Sequence, residues 1–265
     1  MNKQTYTTIR LSTGEIHVYD FGGMRLHAYQ TADPMNDEVF ILEKGGVAVV
    51  LESPCFHDSI QALEGYLKQT GLEIAGLLLS YHMAGATLLP GAKRYATRKA
   101  DEYGHSGGGK ALIDSFTASF GRAFDSSVHT ITDYVEAGPV NIGGIDLVIL
   151  PTQDAFDVEI PAIGAVYTHM LGHDCHSIVA GAGHADAIIR QLTGYLDKGY
   201  KLILTSHYTP EDLKDVQTKI DYLEDLKAIA ARCGDAETFR AEVRRAYPAY
   251  SGENYLEMTA GFFFG

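Results

Sequence analysis

Three short apolar runs, each about the length of one β-strand, constrain the fold of this chain more than any other feature. They lie at residues 47–51, 74–79 and 201–205 and read Val-Ala-Val-Val-Leu, Ile-Ala-Gly-Leu-Leu-Leu and Lys-Leu-Ile-Leu-Thr. None of them alternates apolar and polar residues, as a strand with one wet face does. We therefore expect strands that are buried on both faces, which requires further layers of structure on either side of a sheet.

The other segments predict an α/β chain without repeats or linkers, and we expect one domain over residues 1–265. Runs rich in β-forming residues and bounded by Gly, Pro or Asp predict further strands. Apolar residues at helical spacing predict helices, one of which ends at Gly71. The predicted strands are residues 7–11, 16–19, 26–29, 38–42, 92–96, 127–131, 140–142, 145–150 and 165–167, and the predicted helices are 58–68, 112–120, 184–196 and 235–247.

A C-terminal helix has the clearest pattern in the chain. Thr209 and Pro210 resemble an N-cap and a first-turn proline, and an apolar stripe then runs from Leu213 to Ala230. Cys233-Gly234 is the expected end of this helix. Phe262–Phe264 follow near the C-terminus, where they predict either a subunit contact in a homo-oligomer or a tail packed on the protein's own core.

Composition excludes several classes of function. The net charge of −13 is unsuited to nucleic acid, whose binding depends on Lys and Arg against phosphates. No apolar run approaches the ~20 residues that span a bilayer, and the N-terminus has no apolar signal segment, so we expect a cytoplasmic protein without membrane contact. Three widely spaced cysteines, Cys55, Cys175 and Cys233, are typical of reduced thiols.

The order of these elements resembles the metallo-β-lactamase superfamily over residues 5–250. The segments that carry the resemblance are residues 49–54, 74–82, 91–95, 148–154 and 202–207. It implies an α/β fold, a four-layer αββα sandwich of two mixed sheets. It also implies a hydrolase in which one or two metal ions, mostly zinc, activate water.

The metal ligands of that family are largely missing here. Its first ligand motif, His-x-His-x-Asp-His, should follow the strand at 74–79. In one alignment the four positions hold Tyr81, Met83, Gly85 and Ala86, and in another they hold Ser80, His82, Ala84 and Gly85. Asp154 stands where a further histidine is expected, and His207 matches the last histidine ligand. The resemblance therefore argues against an ordinary binuclear site.

Several histidines after the strand at 165–167 could replace some of the missing ligands. They are His169, His173 and His176, with His184 soon after. Asp174 lies in the same segment and could replace the family's bridging aspartate. We predict one zinc or other divalent ion held by His82, His207 and one or two of His169, His173 and Asp154. The alternative is that these histidines hydrogen-bond within the cleft and hold no metal.

Two functions of different kind follow. The first is a hydrolase of a small ester-like or thioester-like substrate, with Asp154 as a ligand or general base. The second is a non-catalytic protein that binds a small molecule or a protein partner in the former active-site cleft. A lesser alternative is a serine hydrolase, because Ser106 occurs in Gly-His-Ser-Gly-Gly, a G-x-S-x-G sequence. That motif needs a buried strand before it, whereas residues 98–103 are polar.

Overall fold

The computed structural model describes residues 5–169 and 172–265 and divides the chain into two compact units. The first unit contains the chain up to residue 170 together with 204–210, and the second contains 171–203 and 211–265. The single domain expected over residues 1–265 stays a prediction. Residues 1–4, part of the segment that argued against a secretory signal, lie outside the described residues.

The first unit contains an eight-stranded sheet whose strands follow the order of the chain. They are β1 (Tyr6–Arg10), β2 (Glu15–Asp20), β3 (Arg25–Gln30), β4 (Glu38–Lys44), β5 (Val47–Leu51), β6 (Glu73–Leu78), β7 (Arg94–Ala96) and β8 (Asp133–Tyr134). Strands β1 to β5 pair antiparallel, and β5 to β8 pair parallel. The sheet is therefore mixed, and its parallel part begins at β5 and β6, which carry two of the three apolar runs.

Burial explains why the apolar runs could be assigned from sequence. Strand β5 is buried over four of its five residues, and the last three residues of β6 are buried as well. Parallel pairing of β5 with β6 requires a crossover, which helix α1 (His57–Thr70) supplies. Helix α1 buries Ile60, Leu63 and Leu67 and ends at Gly71 with φ of 66°, as the sequence predicts.

A second sheet has six strands in the order β14-β13-β12-β11-β10-β9. They are β9 (Gly138–Ile142), β10 (Ile145–Pro151), β11 (Phe156–Ile160), β12 (Ala165–Thr168), β13 (Leu202–Thr205) and β14 (Tyr208–Glu211). Phe40 of β4 meets Tyr167 of β12 edge to face, with ring centroids 6.2 Å apart, and both side chains are fully buried. The two sheets thus share a core at this point. Strands β8, β11 and β14 were not predicted.

The segment between β7 and β8 is mostly helical. It contains α2 (Arg98–His105), α3 (Gly108–Phe120) and a short 3₁₀ turn (Gly121–Ala123). The strand predicted at 127–131 is wrong, since only one isolated bridge, between Ala84 and Val128, occurs there. The reason is Asp125, whose carboxylate accepts the N–H and O–H of Ser127 and turns the chain locally.

The described part of the second unit contains four helices: α4 (Ala182–Lys198), α5 (Leu213–Arg232), α6 (Ala236–Ala246) and α7 (Glu253–Phe264). The predicted N-cap of α5 at Thr209 is wrong, because Thr209 and Pro210 belong to β14. Asp212 is the N-cap, accepting the N–H groups of Lys214 and Asp215, and the Asp215 carboxylate accepts the N–H of Asp212 in return. This reciprocal capping box satisfies donors that a strand-forming Thr-Pro pair cannot.

Helix α7 was not predicted. Phe263 and Phe264 pack against Phe239 of α6, with ring centroids 5.6 and 5.5 Å apart, whereas Phe262 is 55% exposed. The end of the chain therefore packs in part on its own unit, and a subunit contact through Phe262 stays a prediction. No helix in residues 5–169 and 172–265 is long and apolar enough to cross a membrane.

Candidate metal centre

Three imidazoles converge in the first unit. His82 lies in the loop after β6, His169 follows β12 directly, and His207 lies in the turn between β13 and β14. One ring nitrogen from each residue lies within 4.8 Å of the others, and the ring centroids are 5.2–5.4 Å apart. We call these three residues the histidine cluster. They come from strand ends of both sheets, although His82 and His207 are far apart in sequence.

Glu52 holds the loop that carries His82. Its carboxylate accepts the backbone N–H groups of Tyr81 and His82 at 2.9 Å and that of Ser80 at 3.3 Å. Glu52 is fully buried and has a φ of 68°, which a non-glycine residue rarely adopts. Such a conformation persists only where the surroundings determine it, and here the hydrogen bonds to three consecutive amides do so.

A chain of hydroxyl groups connects Glu52 to His169. The Tyr167 hydroxyl lies 2.6 Å from Glu52 Oε1 and 2.6 Å from Ser206 Oγ, which in turn lies 3.2 Å from His169 Nδ1. Tyr167 and Ser206 are buried. Burial and the Glu52 carboxylate raise the pKa of Tyr167 well above its usual value, so the phenol keeps its proton.

Asp37 lies beneath the other two imidazoles. Its Oδ1 is 3.3 Å from His207 Nδ1 and 4.0 Å from His82 Nδ1, and its Oδ2 accepts the thiol of Cys55 at 3.1 Å. Burial alone would raise the pKa of the fully buried Asp37 carboxyl, but His82, His207 and the Cys55 thiol outweigh burial and lower it. A hydrogen bond from the Met35 amide to Asp33 supports the loop that presents Asp37.

His169 is a weaker base than an ordinary histidine. Burial, followed by the charges of His82 and His207, lowers its pKa well below the usual value. The Tyr81 ring stacks on the imidazole with centroids 4.5 Å apart and planes 19° apart. The Tyr81 hydroxyl is fixed by Thr152 at 2.7 Å. A neutral imidazole held flat against an aromatic ring offers a lone pair, as metal ligation requires.

The missing ligand positions have structural replacements. Ser80 Oγ donates to the carbonyl of Phe156 at 2.5 Å and accepts its N–H at 3.1 Å, so it joins β11 to the loop after β6. Gly85 has a φ of 87°, and a Cβ built there would lie 2.2 Å from the Pro54 carbonyl oxygen. A side chain cannot occupy position 85 on this backbone, whatever its chemistry.

His173 belongs to a separate group in the second unit. Its Nδ1 lies 2.8 Å from Glu211 Oε1 and 3.6 Å from Asp215 Oδ1. The Glu211 carboxylate also accepts the N–H groups of Gly172 and His173. The hydrogen bond to Glu211 raises the pKa of His173 despite partial burial. These contacts are those of an ion pair that ties a loop, and they leave His173 out of the histidine cluster.

The remaining candidates lie on the surface or in other networks. Asp154 is exposed on the turn between β10 and β11, outside the histidine cluster. Burial raises the pKa of both Tyr81 and Tyr103, and the negative charge of Asp154 adds to this effect. Ser106 is exposed at the end of α2 and donates to the Glu102 carbonyl. A helix precedes it where a nucleophile elbow needs a strand.

His176, the third histidine of that segment, is buried in the second unit. Its Nδ1 lies 3.0 Å from the Tyr222 hydroxyl, and its ring contacts that of Tyr250. Its neighbour Asp174 accepts the N–H of Ser251 through its backbone oxygen. These contacts make His176 a core residue of its own unit.

A cavity of about 540 Å³ borders the histidine cluster on the side of β1 to β3. His207 and Asp37 line it, but His82 and His169 do not. The rest of the lining is mainly polar, including Arg10, Glu15 and Gln30. The cavity lies within the first unit.

Sequence reasoning missed Asp37, Glu52, Tyr167 and Ser206 as supporting residues. Glu52 directly follows the apolar run at residues 47–51. A fully apolar strand that ends in an acidic residue, immediately before a Ser-Pro pair, was a usable signal. Nothing in the sequence around Asp37 indicates that its carboxylate faces His207, which is far along the chain.

Comparisons with known proteins identify the fold. A double mutant of the sec-alkyl sulfatase PisA1 aligns over 95% of this chain with a TM-score of 0.66 and 14% identity. A metallo-β-lactamase family protein from Thermus thermophilus aligns over 91% of each chain, with a TM-score of 0.61 and 13% identity. A metallo-β-lactamase from Erythrobacter litoralis aligns over 83% of this chain and 100% of its own, with a TM-score of 0.58 and 13% identity.

The chain therefore has the metallo-β-lactamase fold, which confirms the predicted αββα sandwich. It spans about half the length, 49%, of the sulfatase. No protein-family model matches the sequence, and no curated protein sequence matches it either. At 13–14% identity these likenesses describe the scaffold and leave the chemistry to the residues of the site.

Proposed function

We propose that this protein is a hydrolase that binds one divalent metal ion, zinc in the first instance, at His82, His169 and His207. The observation that carries the proposal is the convergence of three half-buried imidazoles whose ligand atoms lie within 4.8 Å of one another. Catalytic zinc sites commonly use three protein ligands and keep a fourth position open. Three histidines from three separate strand ends meet that requirement.

The residues present fit a single metal ion. In a tetrahedral site with metal–nitrogen bonds of 2.0–2.1 Å, ligand atoms are about 3.4 Å apart, so a small inward shift of the rings suffices. The buried Asp37 carboxylate lies 3.3 Å from His207 Nδ1 and places a negative charge beside the rings, which favours a cation there. A second ion does not fit, because Ser80 is bonded to Phe156 and position 85 has no room for a side chain.

When bound, such an ion would polarise a water molecule and the carbonyl of an ester or thioester. The chain's own residues supply the remaining functions. Glu52 fixes the loop that carries His82, and Tyr81 fixes the plane of His169 by stacking. Asp154 is the proposed general base, because it lies on the same turn as Thr152, whose hydroxyl is 2.7 Å from that of Tyr81, the residue that stacks on His169.

The substrate we propose is a small ester-like or thioester-like molecule. The cavity beside His207 and Asp37 has room for a small molecule. Two of the solved structures similar to this chain are described as a sulfatase and a metallo-β-lactamase, so the scaffold is compatible with hydrolysis of small molecules.

One observation favours a second candidate, a non-catalytic protein that binds a ligand in the same cleft. Several residues at the family's ligand positions stabilise the fold in this chain. Ser80 Oγ, for example, hydrogen-bonds both the carbonyl and the N–H of Phe156. A protein that binds no metal does not need ligand side chains at these positions. The two candidates differ in metal content and in hydrolytic activity.

The test is elemental analysis of the full-length chain purified without added metal and after loading with Zn²⁺. We expect about one metal per chain, lost in His207→Ala and retained in His105→Ala, which changes an exposed histidine on α2. Hydrolysis of ester and thioester substrates should disappear with the metal. A wild-type chain that binds no metal after loading, with no hydrolysis, would refute the hydrolase and leave the non-catalytic protein.

A further inference from the structure

We propose that two buried carboxylates, Asp37 and Glu52, hold all three imidazoles of the histidine cluster in one tautomer, with the proton on Nδ1. The lone pair of every ring is then on Nε2. Asp37 acts directly on His82 and His207, and Glu52 acts on His169 through two hydroxyl groups. The proposal rests on the proposed function only for its consequence for metal binding, because the tautomers are a property of the metal-free chain.

The direction of the Glu52 chain follows from counting protons. A carboxylate only accepts hydrogen bonds, so the Tyr167 hydroxyl, 2.6 Å from Oε1, must donate to Glu52. The Tyr167 oxygen then accepts from Ser206, whose hydroxyl hydrogen is the only one left between them. Ser206 Oγ has used its hydrogen and therefore accepts from His169 Nδ1 at 3.2 Å.

The opposite assignment for His169 leaves this chain short of a proton. If Nδ1 carried the lone pair, the Ser206 hydroxyl would have to donate to it. The oxygens of Ser206 and Tyr167 would then face each other at 2.6 Å without a hydrogen between them. Both side chains are buried, so water does not relieve that contact.

Asp37 fixes the other two rings by the same principle. Its Oδ1 is buried and needs a donor, and the groups facing it are Nδ1 of His207 at 3.3 Å and Nδ1 of His82 at 4.0 Å. His207 Nδ1 is also 3.3 Å from the carbonyl oxygen of Met35, which only accepts. A lone pair on either Nδ1 would point at a carboxylate that is itself without a donor.

The common tautomer has a direct consequence for the metal centre. Outer carboxylates that accept the second N–H of ligating imidazoles set ring orientation and increase ligand basicity, and their removal typically weakens metal binding about 10–100-fold. In this chain one such carboxylate faces two of the rings, and the other acts on the third through two hydroxyl groups. Asp37 and Glu52 are thus positioning residues for the histidine cluster.

The experiment compares ring-nitrogen tautomers by long-range ¹H–¹⁵N correlation in the chelator-treated, full-length chain labelled at histidine. In the wild type we expect Nδ1–H and unprotonated Nε2 at His82, His169 and His207. Asp37→Leu should release His82 and leave His169 unchanged, and His207 should keep its tautomer because the Met35 carbonyl still accepts from its Nδ1. Tyr167→Phe should release His169 and leave the other two unchanged.

Zinc affinity, measured by competition with a chromophoric chelator, should fall about 10–100-fold in each of the two variants. Tyr29→Phe is the matched control, since Tyr29 is also fully buried and its hydroxyl donates to the Thr13 carbonyl away from the cluster. Asp37→Ala, which also removes the acceptor, replaces Asp37→Leu if the latter does not fold, with the same expected release of His82.

The outcomes separate this proposal from the proposed function. Nε2–H at any of the three rings in the wild type overturns it, as do ring shifts that do not change in the variants. A wild type that binds no zinc but shows the three Nδ1–H tautomers refutes the metal centre and supports the tautomer assignment. Equal effects of both variants on all three rings would indicate general loosening and would also overturn it.

Discussion

Replacing Glu52 with glutamine keeps the size of a buried side chain but changes one oxygen into an amide donor. Oε1 accepts from Ser80, Tyr81 and Tyr167, and Oε2 accepts from His82. The less costly orientation puts the amide nitrogen in place of Oε2. The N–H of His82 then faces another donor, and three hydrogen bonds to a charged group become bonds to a neutral one.

The magnitude follows from these contacts. A buried N–H left without an acceptor costs about 1–3 kcal/mol, and hydrogen bonds to a neutral acceptor are weaker by roughly 1 kcal/mol each than those to a charged one. Relief from burying the Glu52 charge offsets part of the second contribution. We expect the free energy of unfolding to fall by about 2–4 kcal/mol in Glu52→Gln.

Urea unfolding in the presence of a chelator measures this effect without any contribution from metal. Glu64→Gln is the control, because Glu64 is half-buried and accepts only the N–H of Leu89, at 2.8 Å, among the described residues, a bond the amide oxygen can keep. We expect less than about 1 kcal/mol there. A loss in Glu52→Gln no larger than that of the control would refute the role assigned to this carboxylate.

Three further predictions concern other parts of the chain. Asp154→Asn should lower kcat for the hydrolysed substrate about 10²–10⁴-fold without changing metal content. Asp146 is exposed on β10, and Asp146→Asn should change neither quantity. Equal kcat values in the wild type and Asp154→Asn would show that Asp154 is not the general base. Gly85→Ala should destabilise the fold by about 3 kcal/mol or more in urea unfolding, because its Cβ meets a backbone oxygen at positive φ, and Gly91→Ala, with nothing within 4 Å, should be nearly neutral. Burial lowers the pKa of Lys219 to about 8, below the value of about 10.4 in an unfolded chain, so between these pH values the unfolded state binds the additional proton. As pH rises across this range, the free energy of unfolding of the wild type should increase by up to about 3 kcal/mol relative to that of Lys219→Met. A difference between the two proteins that does not change with pH would contradict the lowered pKa.

The fold was predictable where local pattern and burial agree. Strand β5 and helix α1 were assigned correctly because an unbroken apolar run and a helical stripe have few alternatives. Residues 209–212, Thr-Pro-Glu-Asp, suit the start of a helix, yet pairing with β13 places the first three of them in a sheet and leaves Asp212 as the N-cap. Tertiary pairing overrides local preference in such short segments.

The histidine cluster was predictable only in part. His82 and His207 lie at the ends of buried strands, which a strand prediction locates, and His169 follows a third strand. His173 lies only four residues after His169, yet its side chain pairs with Glu211 and not with the histidine cluster. Four residues along the chain are enough to change the direction of a side chain. Asp37 acts through a distance of 3.3 Å to His207, which lies in a distant part of the sequence, and no local pattern contains that contact.

The first unit is discontinuous, since it needs residues 204–210 in addition to the chain up to 170. A nascent polypeptide therefore acquires its last imidazole, and the serine that orders another, only after the whole segment 171–203 has been synthesised. Until then, Asp37 lacks its contact with His207, and Tyr167 lacks its contact with Ser206. The histidine cluster is accordingly completed late in synthesis, after strand β13 has followed helix α4.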